Sequence, residues 1–263
     1  MLSTFPHIYP DELLISVYAR LFLRLRATPE MTARLLFGSS TIFLKGDLPH
    51  CLSHLAAILP PWYRPTVREM IEQHTLLPFY KLCCPFYEYE DHIMGTRWRP
   101  YDRDTIGLIR TVTTLRYCVL CCQEDRDQVG EYYWHRSHQI PGVQVCPIHQ
   151  VFLGCSEIPL LKLRATDLMS ASAATSLQPT APSRINLDDQ DHRRILRIAS
   201  ELVNSIAPGS PQLSRDSSSI YQLVKESLYL TKHCVHKPPI TITEVPKAFI
   251  GQEWTRNLVS LKQ

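Results

Sequence analysis

The sequence predicts a mainly α-helical protein interrupted by a small finger rich in cysteine and histidine. Three observations carry this expectation. Apolar residues recur with a 3.6-residue period on both sides of the middle of the chain. Two short Cys/His pairs, Cys118-Val-Leu-Cys121 and Cys146-Pro-Ile-His149, stand 24 residues apart, a spacing suited to one shared metal ion. Hydrophobic residues make up 44% and charged residues 20% of the 263 positions, which provides for a packed core and excludes wholesale disorder. The expected fold is therefore mainly α with a small zinc-finger unit: an N-terminal helix-turn-helix, a central Cys3His zinc finger and a C-terminal helical segment.

Taken in order, residues 12–26 place Leu13, Leu14, Val17, Tyr18, Leu21, Phe22 and Leu25 on one helical face, with Arg20 and Arg24 on the polar side. After the turn at Ala27-Thr28, Thr28 can cap a second helix, Pro29 suits its first position and Gly38 its stop. Two helices joined this way fit a helix-turn-helix or an ordinary helical hairpin. His50–Leu59 reads as a third helix before Pro60-Pro61. Thr66-Val-Arg-Glu69 is a capping box opening a fourth, expected to end at Pro78.

Residues 1–116 thus form a helical domain and 117–163 the finger. Between its Cys/His pairs, Glu131–His138 reads as extended and aromatic-rich, with Trp134 at the packed centre and Arg136 and His138 on one strand face. Residues 164–186, rich in Ser, Ala, Thr and Pro, read as a linker or long loop. In 187–263, Asp188 or Asp189 caps a helix carrying Ile195, Ala199, Leu202, Val203 and Ile206, which Pro208-Gly-Ser-Pro211 stops. Ser219 caps another helix, carrying Leu223, Val224, Ser227, Leu228 and Thr231. The chain stops at Lys262-Gln263 without an evident closing element, which fits a segment of a longer chain as well as a whole one.

No run approaches the ~20 apolar residues of a membrane span, and MLSTFPHIYPDELL lacks the parts of a signal peptide. These features indicate a soluble, cytoplasmic protein with no membrane partner. In that compartment nine cysteines point to metal rather than disulfides. Cys118, Cys121, Cys146 and His149 supply the three thiolates and one imidazole that a structural Zn²⁺ prefers. Cys122, beside Cys121, is the alternative ligand. Cys51, Cys83, Cys84, Cys155 and Cys234 read as small buried apolar residues, and His233, Cys234 and His236 lack a second pair at sensible spacing. Four protein ligands leave no position for water or substrate. Neither H-E-x-x-H nor the deaminase H-x-E with P-C-x-x-C is present. The chain therefore reads as no enzyme, without a small-molecule substrate.

Net charge is only +3, but 11 of the 13 basic residues in 1–116 are arginine, the side chain best matched to phosphate. Arg97, Arg99, Arg103, Arg110 and Arg116 form the leading candidate row for double-stranded DNA. Arg20 and Arg24 on the first helix, Arg136 in the finger, and Arg193, Arg194 and Arg197 on the first C-terminal helix complete the DNA-binding candidates. A solvated, salt-bridged surface is the competing reading for each.

In order along the chain come Tyr9-Pro-Asp-Glu-Leu-Leu14, Ser16, Ala19-Arg20, Glu72-Gln-His74-Thr-Leu-Leu-Pro78, Leu115-Arg-Tyr-Cys118-Val-Leu-Cys121, Tyr133-Trp134-His-Arg136, Ile140-Pro-Gly-Val143 and Cys146-Pro-Ile-His149. Over about 1–155 this series resembles the TniQ/TnsD family of transposon target-site selection proteins, with the TnsD-like branch favoured. The resemblance implies a helix-turn-helix unit followed by a zinc finger, with zinc on Cys118, Cys121, Cys146 and His149. It implies a non-enzymatic role, on the nucleoid when DNA-bound: recognising attachment-site DNA and recruiting the AAA+ ATPase TnsC. The alternative is a TniQ-type adaptor that joins an RNA-guided CRISPR effector complex, with its guide RNA, to TnsC. Many relatives continue into a second C-x-x-C after the finger; here Phe152-Leu-Gly-Cys155-Ser-Glu has one cysteine, which argues against a second metal site.

Overall fold

The computed structural model describes residues 2, 5–25, 27–48, 52–60, 62–63, 65–83, 112–160, 163–168, 171, 182–207 and 217–233. Helix α1 (Leu14–Arg24) is buried almost all round over Leu14–Phe22, which makes it a core helix rather than a surface one. Helix α2 (Pro29–Phe37) starts as its sequence requires: Thr28 Oγ1 accepts from the Met31 N–H at 3.3 Å, and Pro29 occupies the first turn. It ends on Gly38 at φ 75°, the left-handed conformation in which glycine has no Cβ penalty. Two consecutive helices stand where the helix-turn-helix or helical hairpin is expected, and α1 is internal, with no exposed face along Leu14–Phe22.

Strand β1 (Phe43–Leu44) and helix α3 (Leu52–Ile58) follow. In α4 (Val67–His74) the expected capping box is complete: Thr66 Oγ1 accepts from the Glu69 N–H at 3.1 Å, and the Thr66 N–H donates to Glu69 Oε2 at 2.6 Å. Pro78 does not end this helix. The chain leaves α4 at Thr75, whose hydroxyl donates to Ile71 O and accepts from the Leu77 N–H. A new helix, α5 (Leu77–Cys83), then carries Pro78 in its first turn, where a missing N–H breaks no bond.

In the middle, β2 (Thr114–Tyr117) leads through Cys118 into α6 (Val119–Val129), which Gly130 closes at φ 81°. Glu131–His138 is not the expected strand. His135 makes a single bridge to Glu12, and Ser137–Gln139 is a turn of 3₁₀ helix. Arg136 and His138 therefore share no strand face, and both are buried. A hairpin of β3 (Val145–Cys146) and β4 (Val151–Phe152) presents the second Cys/His pair. Strand β5 (Gly154–Pro159) pairs antiparallel with β2, and β6 (Leu163–Arg164) pairs antiparallel with β1. The segment read as a linker is described at its two ends, and both are paired. Arg164 lies in β6, while the Phe152 and Ile185 N–H groups donate to Ser183 O and Gln150 O at 2.9 and 3.0 Å.

Asp189, the second of the two expected caps, starts α7 (Gln190–Asn204) by accepting from the Asp191 and His192 N–H groups. Helix α8 (Ser217–His233) begins two residues before the expected Ser219. The two pack together and onto the finger at Gly142, whose φ of 88° and 3.0 Å clearance to Leu202 Cδ1 leave no room for a side chain. Ser227 Oγ donates to Gly142 O at 2.5 Å. One buried apolar cluster joins residues from Leu2 to Leu230, with Trp134 inside it. The Trp134 N–H donates to Ser16 Oγ and its carbonyl accepts from the Leu13 N–H, so it ties the finger to α1. Among the described residues no helix is long and apolar enough to cross a membrane.

Candidate metal centre

Two local devices converge on one point. Cys118 sits at the N-cap of α6 and Cys121 in its first turn, one helical turn away. The β3–β4 hairpin contributes Cys146 from its strand and His149 from its turn, next to Gln150 at φ 55°. The four donor atoms lie within 4.8 Å of one another. Cys121 Sγ is 3.7 Å from Cys146 Sγ, and His149 Nδ1 is 3.6, 3.3 and 3.6 Å from the sulfurs of Cys118, Cys121 and Cys146. A tetrahedron built with Zn–S of about 2.3 Å and Zn–N of about 2.0–2.1 Å has S···S and S···N edges of about 3.8 and 3.5 Å. The observed edges match, so a Cys3His group able to hold a metal ion is present, with donor chemistry compatible with zinc.

The protonation pattern has the same cause. Hydrogen bonds from Cys118 and Cys121 draw the Cys146 thiol far below its ordinary range, while contacts with Cys118 and Cys146, together with burial, push Cys121 far above it. Three sulfurs so close cannot all ionise without a cation among them. Beyond the ligands, His149 Nε2 is 2.9 Å from Glu124 Oε1, so a carboxylate one turn past Cys121 fixes the ring with Nδ1 toward the sulfurs. Cys122, the alternative ligand, is buried outside this group, and Cys155 lies in β5. Cys83 is half-buried; Cys51, Cys84, Cys234 and His236 lie outside the described residues.

The arginine candidates divide. Arg97, Arg99, Arg103 and Arg110 lie outside the described residues. Arg20 is no surface cation: it is 1% exposed, bonds Glu12 Oε2 at 2.7 Å and Glu131 Oε1 at 2.8 Å, and packs over the Tyr9 ring at 3.9 Å. Arg136 is likewise internal, donating to Glu72 O at 2.7 Å and Ile206 O at 3.2 Å beside Asp11. Arg116, the last of the expected row, is buried too and donates to Val143 O and Ile140 O; all three guanidiniums are committed to folding and withdrawn from any phosphate. Arg24 is half exposed but shares Glu131 with Arg20. On α7, Arg193 donates to Leu187 O, Arg194 pairs with Glu226, and Arg197 lies 4.0 Å from Glu201; all three remain exposed.

Sequence reasoning missed the buried ionic networks that fasten the finger to the N-terminal segment. One runs from Glu12 through Arg20 to Glu131. In the other, His135 stands between Asp125 at 2.9 Å and Asp11 at 3.8 Å, its ring stacked on Tyr133. Burial opposes charge on His135, but the hydrogen bonds to Asp11 and Asp125 prevail and raise it to about 9. The usable signal was Arg20 itself, an arginine among consecutive apolar residues of a helix with no local acid partner.

Over residues 3–153, more than half its length, the chain matches the TniQ family. It is also similar to the Tn7 transposition protein TnsD of Escherichia coli, 26% identical over 158 residues. That alignment covers 56% of this chain but spans only 30% of the length of that relative. The family match takes in α1 to α6, the β3–β4 hairpin and all four candidate ligands, and on that ground the chain belongs to the TniQ family.

Proposed function

We propose that this chain is a target-site selection adaptor for DNA transposition, which binds attachment-site DNA and recruits the AAA+ ATPase TnsC. The carrying observation is the family match over 3–153, which encloses a Cys3His group whose four donors could hold a metal ion. In this reading Zn²⁺ fills the group and does no chemistry: it pins α6 against the β3–β4 hairpin so that neighbouring surfaces have a fixed geometry. The similarity to TnsD supports the DNA-directed form of the role. The DNA candidates are Arg24, Arg193, Arg194 and Arg197 together with Arg97, Arg99, Arg103 and Arg110.

A second reading has its own support. The exposed arginines of α7 are each engaged with a carbonyl or carboxylate of the chain itself, and the net charge is only +3, a weak field for holding duplex DNA. In that reading a guide-RNA effector complex supplies the address and this chain links it to TnsC. Binding of the zinc-loaded protein to a duplex carrying the transposon's insertion-site flank, against a scrambled duplex, decides between them. Preferential, salt-sensitive binding that weakens when Arg193, Arg194 and Arg197 are replaced together by Ala is expected for the first reading. Equal, weak binding to both duplexes, with TnsC capture retained, establishes the second. Loss of TnsC capture by folded, zinc-loaded protein overturns both.

A further inference from the structure

His138 takes no part in the four-ligand set, yet it lies against it. The residue is 2% exposed, and its Nε2 is 3.7 Å from Cys121 Sγ, which is itself 3.7 Å from Cys146 Sγ. Its other ring nitrogen, Nδ1, is buried and has no hydrogen-bond partner among the described residues. The ring lies against His135, with centroids 4.9 Å apart.

The tautomer follows from these contacts. A neutral imidazole carries one N–H. With that proton on Nδ1, a buried donor would be unpaired and the bare Nε2 would face sulfur lone pairs. With it on Nε2, the donor is used and only a lone pair goes without a partner, the less costly arrangement. The sulfurs also need a donor. Three thiolates and one imidazole around a dication carry a net charge of −1, and the three cysteines are at most 3% exposed, so water does little to offset that charge.

We propose that His138 is an outer-shell positioning residue of the metal centre, donating its Nε2–H to the Cys121 thiolate and thereby slowing its attack on electrophiles and the loss of metal that follows. The inference rests on the Cys3His group being a zinc centre. It gives the Cys121 sulfur a donor, as Glu124 gives an acceptor to the His149 ring on the other side. The donated hydrogen bond takes up charge that would otherwise make that sulfur a better nucleophile.

The test uses the full zinc-loaded chain with His138→Leu and His138→Gln, the second keeping an N–H donor. N-ethylmaleimide is added, and zinc release is followed with a chromogenic chelator; each attack breaks a Zn–S bond and forms a C–S bond as the maleimide C=C opens, its other carbon taking a proton from water. Release from His138→Leu is expected about tenfold faster than from the wild type, the worth of one lost hydrogen bond, with one zinc per chain at the start. His138→Gln should stay within about threefold of the wild type. Imidazole ¹⁵N–¹H spectra of the wild-type zinc protein should show His138 protonated on Nε2 and bare on Nδ1, and this measurement decides the matter alone if the Leu variant does not fold. Unchanged release from a zinc-replete Leu variant, equal acceleration in both variants, or a proton on Nδ1 overturns the inference. A wild-type chain that holds no zinc overturns the metal reading, and the inference with it.

Discussion

Replacing Arg136 asks whether its guanidinium fastens the interior or is a spare cation. It is 4% exposed and reaches three separate segments: Glu72 O at the end of α4, Ile206 O just after α7, and Asp11 in the N-terminal arm. Arg136→Ala removes two charge-assisted hydrogen bonds, each worth about 1.5–3 kcal/mol, and leaves both carbonyls dry. Truncating one side of a buried charged contact costs about 3–5 kcal/mol. The two ranges overlap near about 4 kcal/mol, which for a chain of this size lowers the melting temperature by roughly 8–16 °C. Arg136→Met keeps most of the apolar stem and recovers about 1 kcal/mol of it. Urea unfolding at fixed zinc, with the denaturant slope unchanged, measures the loss. A cost below about 1 kcal/mol, typical of an exposed arginine, accompanied by weaker DNA binding would refute the reasoning and return Arg136 to the phosphate-facing candidates.

Three further outcomes are expected. Cys118→Ser and His149→Ala each release the metal and loosen the 117–155 unit; full zinc content and unchanged melting in both would show that the ligands are wrong. The Asp11–His135–Asp125 clasp is pH-dependent. Its His135 contribution is complete below about pH 6.5, the ordinary value, and is lost as pH rises through about 9. Asp11, whose partial burial opposes charge but whose bonds to His135 and Ser137 hold its carboxyl at about 2, contributes above about pH 3.8 and loses this as pH falls through 2. His135→Gln should therefore flatten the fall in urea midpoint between pH 6.5 and 9, and identical curves for variant and wild type would deny the clasp. Two glycines with nearly equal φ separate strain from collision: Gly130→Ala meets nothing within 4 Å and costs about 1 kcal/mol, whereas Gly142→Ala meets Leu202 and Val224 and costs about 2–4 kcal/mol. Equal losses of stability in the two variants would show that α7 and α8 do not press on Gly142.

What could be read from the sequence was what depends on neighbours. Thr28, the Thr66–Glu69 pair and Asp189 cap helices because a cap is settled within three residues, and the metal ligands were legible because each half of the set is a two-residue gap with a fixed turn. Pro78 misled because a proline that stops one helix equally suits the first turn of the next. Arg20 and Arg136 misled for a different reason. Glu131 stands 111 residues from Arg20 and Asp11 125 from Arg136; the apolar run around Arg20 signals that it is drawn inward, but nothing local names the distant carboxylate it meets, and Arg136 has no such run around it. The same holds for 131–138, whose run of aromatics suggests an extended strand while its backbone bonds go to Asp11, Leu13 and Ser16 instead of to a sheet.

The family match ends at residue 153, but the folded unit does not. Strand β6 lies past that point and pairs with β1, near the start of the chain. Gly142, inside the match, is roofed by α7 and α8, and Arg136 donates to a carbonyl beyond α7. Helix α6 explains why so much converges here: successive turns carry Cys121 to the metal group, Glu124 to His149 and Asp125 to His135, and Glu131 just past its end reaches Arg20. A metal ion that orders the first turn of this helix therefore also sets the carboxylates that hold the N-terminal arm. Chelation should accordingly raise amide exchange in 5–25 as well as in the finger, and exchange confined to 117–155 would mean that the two halves are fastened independently of the metal.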